Sequence, residues 1–159
     1  FHLIRNAHMS VDELDTLFNK RSGMMGMTGF GDLREVHRLV AEGNEDAKLA
    51  LDIYVHRIVG YIGNYTAQMG GVDVITFTAG VGENDDVVRK MVCDKLAPFG
   101  VKLDEEKNAT RSKEPRIIST PDSAVTICVI PTNEELAIAR KSAAIAEEGK
   151  DSYGNVFSK

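Results

Sequence analysis

Apolar and polar positions along the 159 residues switch between a helical and a strand period, and the switches divide the chain. The first half is helical. Ser10-Val11-Asp12-Glu13 is a capping box, and Leu14, Leu17 and Phe18 follow at helical spacing. Gly23 is expected to stop that helix. Met24–Gly31, with three glycines in eight residues, reads as a shaped loop or short strand. Asp32 starts a second helix to about Glu42, with Leu33, Val36, His37 and Val40 on one side. Gly43-Asn44 breaks it, and a long helix is predicted from about Glu45 to Met69. Its apolar set includes Leu49, Ile53, Ile58, Ile62 and Tyr65, wide enough to be largely buried. Gly60 and Gly63 inside it predict close packing against a neighbour.

The period changes at Asp73. Val74, Ile75, Thr76 and Phe77 are β-branched or aromatic, as a buried strand prefers. Gly80 and Gly82 then let the backbone turn tightly and keep side chains out of a ligand's way. Asn84, with Asp85 and Asp86 behind it, reads as the cap of a helix over about 85–96. Gly100-Val101-Lys102-Leu103 and a polar stretch of mixed helix and loop over 104–115 come next. Two strands, Arg116–Thr120 and Val125–Ile130, flank the turn signal Pro121-Asp122-Ser123. Thr132-Asn133-Glu134-Glu135 is read as a second capping box, opening a last helix to about Glu147. A polar, frayed tail is expected from Gly149. Helices alternating with strands give an α/β layered domain.

Length fits one domain over about 1–150 with a polar tail at 151–159. The chain opens on Phe-His-Leu-Ile-Arg, which reads like the end of a helix under way, so a piece of a longer protein is expected. A formal charge of −5 with no Lys/Arg stripe argues against a nucleic-acid partner. The longest apolar runs fall short of a membrane span, so no membrane partner is expected. Cys93 and Cys128 lack metal or redox spacing and read as buried free thiols in a reducing cytoplasm.

Three polar clusters stand at the edges of predicted elements. Asp32-Leu33-Arg34 follows Gly29-Phe30-Gly31. Asp32 either caps its helix or accepts from sugar hydroxyls or an exocyclic amine, and Arg34 is either a solvated charge or a partner for a base or phosphate. The second cluster, Gly80-Val81-Gly82-Glu83-Asn84, joins a strand to a helix start. Free N–H groups there favour oxygen-rich ligands, although an ordinary strand-to-helix turn would use the same glycines. In the third, Glu135 fits the capping-box position and leaves Glu134 either a surface charge or a carboxylate able to hold Mg²⁺ through water. His2, His8, His37 and His56 have no partner at ligand spacing, and no nucleophile or general base can be argued.

Together these segments resemble one family, the acetate kinases, with propionate kinases as near relatives. The resemblance is carried by Lys20-Arg21-Ser22-Gly23 with Gly31-Asp32-Leu33-Arg34, by Thr76-Phe77-Thr78-Ala79-Gly80-Val81-Gly82-Glu83-Asn84, and by Val129-Ile130-Pro131-Thr132-Asn133-Glu134-Glu135-Leu136. Ile118-Ser119-Thr120-Pro121-Asp122-Ser123 adds to it. Order and spacing match the family's C-terminal domain over nearly the whole chain. The resemblance implies a ribonuclease H-like domain of the actin-like ATPase superfamily, with a mixed sheet flanked by helices. It implies reversible transfer of the ATP γ-phosphoryl group to acetate, giving acetyl phosphate and ADP. Asp32, Leu33 and Arg34 are then expected to line the adenosine site, with Gly80, Val81, Gly82, Glu83 and Asn84 as its other wall. Glu134 matches a Mg²⁺-associated glutamate. Acetate would be held by an N-terminal domain lacking here, and a homodimer is implied, with the long helix 45–69 as a subunit contact. The groups that act on the γ-phosphate have no counterparts in this chain. It is therefore expected to bind nucleotide as half of a kinase and to be inactive alone, with no catalytic residue of its own. Asp85 departs from the pattern, standing where a serine is more usual.

Overall fold

A computed structural model of the chain describes residues 1–148; the expected polar tail lies outside the described residues. Two compact units emerge. One comprises Phe1–Val72 with Asp94–Leu96, and the other Asp73–Cys93 with the chain from Ala97 onward.

The first unit is helical: α1 (His2–Asn6), α2 (Val11–Lys20), α3 (Gly23–Thr28), α4 (Leu33–Ala41) and α5 (Glu45–Met69). Local chemistry sets these ends. The Ser10 hydroxyl accepts from the Glu13 amide while the Glu13 carboxylate accepts from Ser10 N–H at 2.7 Å, closing the capping box. Asn44 caps α5 by accepting from Ala47 N–H at 2.9 Å, and Gly70, in the left-handed conformation, ends it. The Met/Gly-rich stretch expected as loop or strand is instead α3, between Ser22 and the left-handed Gly29. Methionine favours helix, and the glycines cost less than the short turn gains from its contacts with α5.

Val36 of α4 and Ala47, Ala50, Leu51 and Val55 of α5 are buried. The apolar set expected on the inner face of α5 is not the buried one. Leu49, Ile53 and Tyr65 are exposed, and Ile58 and Ile62 are half-buried. Apolar residues occur on every side of the helix, among Asp52, His56 and Arg57 as well, so its period alone does not say which face turns inward. Gly60 and Gly63 likewise meet nothing within 4 Å of an added Cβ, so the close packing expected there does not occur within the described chain.

The second unit is built on a three-stranded mixed sheet, β1 (Val74–Phe77), β2 (Arg116–Ile117) and β3 (Thr126–Val129), in the order β1-β3-β2. β1 runs parallel to β3 with Ile75 opposite Ile127, and β2 runs antiparallel with Arg116 opposite Val129. The same unit carries α6 (Ala79–Asn84), α7 (Asp86–Lys95), α8 (Glu105–Ala109) and α9 (Glu134–Glu148). β3 alternates half-buried and buried residues, as its central position requires. Ile75, Val88, Val92, Cys93, Val101, Ile118, Val125, Ile127 and Val129 form the core. Each buried aliphatic side chain contributes about 1.5–3 kcal/mol. Cys93 is buried as expected, whereas Cys128 is half-buried; neither is in a disulfide. The Pro121-Asp122-Ser123 turn forms as predicted. Ser123 Oγ donates to Val125 O at 2.6 Å and accepts from Lys102 N–H at 3.0 Å. Among the described residues no helix is long and apolar enough to cross a membrane.

Candidate functional site

Asp32 stands at the head of α4, where its carboxylate accepts from Arg34 N–H at 2.9 Å. It also receives the Arg34 guanidinium in a forked pair, with Nε 3.1 Å from both carboxylate oxygens. Both local alternatives therefore hold at once: Asp32 caps the helix, and Arg34 is a largely solvated cation, its side chain 90% exposed. Leu33 between them is half-buried. The hydrogen bonds from the Arg34 side chain and backbone lower the Asp32 pKa from its ordinary 3.8 to about 2. The folded-state value is the lower one, so this cap contribution is complete above about pH 4. It fades as pH falls through about 2. The carboxyl resonance of Asp32 should titrate near 2 in an NMR pH series and move back toward 3.8 in Arg34→Ala; a midpoint near 3.8 in the unsubstituted chain would show that the pair does not form.

The glycine turn differs from expectation beyond its strand. Val74–Phe77 gives the strand, with Ile75 buried but Val74 and Thr76 exposed where a buried strand was expected; the left-handed residue of the turn is Ala79 (φ +58), and neither glycine has a positive φ. An L-residue held there costs about 1–2 kcal/mol, so the surroundings must enforce it. Gly82 is needed for packing: an added Cβ would lie 3.1 Å from the Phe77 carbonyl carbon. Gly80 alone faces open space. Residues 79–84 form the short helix α6, and the cap of α7 is Asp85, whose carboxylate accepts from Val88 N–H at 2.9 Å. Asn84, read as that cap, turns back and donates from Nδ2 to Gly80 O at 2.8 Å. Asp85, the departure from the family pattern, is thereby engaged in a structural role.

Glu83 engages one of its carboxylate oxygens within the chain. Oε1 accepts from Thr132 N–H at 2.8 Å and from Thr132 Oγ1 at 3.0 Å, and these bonds, the backbone one foremost, lower its pKa below the ordinary glutamate value. Thr132 is thus committed to Glu83 and does not cap α9. Asn133 does, accepting from Leu136 N–H at 2.9 Å. The capping box read at 132–135 is corrected accordingly, and Glu134 and Glu135 both lie exposed in the first turn of α9.

Glu83, Asn84, Thr132 and Asn133 line an open depression of about 410 Å³ together with Pro131, Ser112, Lys113 and Pro115. Sequence reasoning missed Ser112 and Lys113, which lie in a polar stretch with no local signal. It missed Arg89 as well, a buried cation behind the turn. The one signal for it was a charge set among Val88, Val92, Cys93 and Leu96 at helical spacing. The structure brings the second and third clusters together through Glu83 and Thr132. Asp32–Arg34 belongs to the other unit.

The depression is lined by polar side chains, Ser112 and Lys113 among them. Among the described residues no group of three or more His, Cys, Asp or Glu side chains could hold a metal ion. Glu134 supplies one carboxylate, enough only for an ion that brings water and phosphate oxygens with it.

Comparison with known proteins bears on the family of the chain. The profile of the Acetokinase family matches residues 1–140. The acetate kinase of Leifsonia xyli subsp. xyli is 54% identical over 142 residues, covering 89% of this chain and 36% of the relative. The crystal structure of Porphyromonas gingivalis acetate kinase superimposes with a TM-score of 0.81 at 40% identity, over 91% of this chain and 36% of that one. A propionate kinase from Francisella tularensis subsp. tularensis SCHU S4 gives a TM-score of 0.79 at 39% identity, over 87% and 35%. The fold is the ribonuclease H-like class of these neighbours, and the chain spans about a third of the length of the curated relatives it matches. A match over nearly the whole chain, in both sequence and fold, makes this protein a member of the Acetokinase family.

Proposed function

We propose that this chain is the C-terminal, nucleotide-binding part of an acetate kinase, an enzyme that moves the γ-phosphoryl group of ATP reversibly to acetate. The observation that supports it most is the Gly80–Asn84 turn. Three of its carbonyls and the Glu83 carboxylate are engaged within the chain, Gly80 has open space where a side chain would stand, and Glu83 and Asn84 line a polar depression. ATP or ADP would lie along this turn; Asp32, Leu33 and Arg34, in the other unit, are kept as candidate nucleotide contacts on the family resemblance alone. Glu134 would reach Mg²⁺ through its water shell, the ion neutralising phosphate charge when bound. No residue of this chain is assigned to the γ-phosphate. The chain alone is therefore expected to bind nucleotide and not to transfer phosphoryl groups, with the acetate site in the remainder of a full-length enzyme. A cytoplasmic location fits these substrates.

Calorimetric titration of ADP and ATP into the chain, with and without Mg²⁺, tests this. Saturable binding that weakens in Glu134→Ala only when Mg²⁺ is present is expected. Absence of binding to folded protein would remove the nucleotide site from this chain.

A propionate kinase is the second reading, favoured by the near-equal match to the Francisella enzyme.

We also propose that the chain forms a homodimer through α5. Its exposed Leu49, Ile53, Tyr61, Tyr65 and Met69, with open space at Gly60 and Gly63, present apolar surface of the kind that a second copy covers. Sedimentation should show dimers at micromolar concentration and monomers in Tyr61→Lys/Tyr65→Lys. A monomeric unsubstituted chain would refute the assignment.

A further inference from the structure

We infer that Arg89 is a positioning residue for the Gly80–Asn84 turn: its buried guanidinium fixes the carbonyl side of α6 and, through Glu83, holds the turn against the start of α9. The ligand named for the turn rests on the proposed function; the brace itself does not.

A six-residue helix cannot hold itself, because nucleation is unfavourable and its last four carbonyls have no partner within the helix. In α6 three of these four oxygens, those of Val81, Gly82 and Glu83, have a named donor, and Gly80 O gains a side-chain donor besides. Gly80 O accepts from Asn84 Nδ2 at 2.8 Å, and Val81 O from Asp85 N–H at 2.9 Å. Gly82 O and Glu83 O both accept from Arg89 Nη1 at 3.0 Å. The rest of the guanidinium is anchored on the opposite side. Nε donates to Asn108 Oδ1 and Nη2 to Asn108 O, both at 2.7 Å, and Asn108 Nδ2 donates to Asp86 O at 2.9 Å. Arg89 is 2% exposed and Asn108 4%. The guanidinium thus links three segments, α6, the start of α7 and α8.

Burying a guanidinium is unfavourable unless its donors are satisfied. Desolvation accordingly draws the Arg89 pKa down, Arg116 adds to this, and Asp86 and Asp85 oppose it. The planar fork reaches two carbonyls on one side and an asparagine on the other, a geometry that a lysine ammonium cannot reproduce. Two consequences follow for the ligand side. The left-handed Ala79 is sustained because the end of its helix is clamped. Glu83, held at its own carbonyl, keeps its carboxylate on Thr132 beside the Asn133 cap, so one brace sets both walls of the depression.

The test uses Arg89→Lys and Arg89→Met in the full chain, with amide hydrogen exchange and ADP titration as readouts. The Asp85 and Thr132 amides report on the turn; those of Ile118 and Thr126 report on the sheet. Both variants should accelerate exchange at Asp85 and Thr132 about tenfold or more while leaving Ile118 and Thr126 unchanged. ADP should bind about tenfold more weakly. Equal acceleration in turn and sheet, restoration of the turn by lysine, or no change at the turn would each overturn the inference. If neither variant folds, Asn108→Ala removes one anchor and keeps the carbonyl. It should give the same turn-selective acceleration, and a sheet-wide effect would overturn the inference. If the unsubstituted chain does not bind ADP, the nucleotide assignment fails, and the exchange pattern still decides the brace.

Discussion

A Gly80→Leu chain is expected to lose nucleotide affinity by about 10- to 100-fold while unfolding at nearly the same temperature, since forcing a side chain into filled space costs about 1–3 kcal/mol. Gly80 has no positive φ, so leucine is compatible with its backbone and improves local helix propensity. An added Cβ meets no atom within 4 Å, so the folded chain itself is not crowded. Any loss must come from what occupies that open space when ligand is bound. Gly82 cannot serve the same purpose. Its Cβ would press on the Phe77 backbone at 3.1 Å, so a substitution there changes folding and binding together. Titration of ADP into both variants, beside thermal unfolding, separates the two roles. Unchanged affinity in Gly80→Leu would take this turn out of the nucleotide site.

The largest effect on stability is expected at Ile127, whose replacement by alanine should cost about 2–5 kcal/mol. The side chain is 0% exposed and belongs to the central strand, opposite Ile75 of β1. Its backbone carries the register as well: the carbonyl accepts from Ile118 N–H at 2.8 Å, and the amide donates to the buried Ser119 Oγ at 3.2 Å. A cavity there has strands on both sides and little freedom to collapse. Ile127→Val should cost only about 0.5–1.5 kcal/mol. Urea unfolding of the two variants gives the difference. A loss below about 1 kcal/mol in the alanine variant would mean that the sheet is not part of the cooperative core.

What could be read from sequence follows from how far each signal reaches. The ends of α2, α4 and α5 were legible because Ser10, Asp32 and Asn44 each act within three residues, and a capping side chain needs no tertiary partner. The strands were legible because β-branched runs stood between turn residues. Neighbouring candidates were harder. Asn84, Asp85 and Asp86 can all cap, and tertiary contacts chose Asp85, releasing Asn84 to close α6. Thr132 and Asn133 competed in the same way, decided by a glutamate 49 residues away. The buried face of α5 was beyond local reading, since a helix with apolar residues on every side does not announce its inner side. Of the candidate site, the glycine turn and the 132–134 segment were visible as motifs. Arg89 was not, because its four acceptors come from segments that only the folded chain brings together.

The sheet order also sets an order of events in time. The helices α3, α4 and α5 find their partners within a short length of chain, so they can assemble soon after they are made. β1 cannot. Among the described residues it pairs only with β3, whose residues follow long after in synthesis. Until Thr126–Val129 emerges, Val74–Phe77 is an unmated run of sticky residues, open to the same run on another nascent chain. Yield of soluble protein should therefore be governed by this waiting interval, favouring slow expression at low temperature over any gain in final stability.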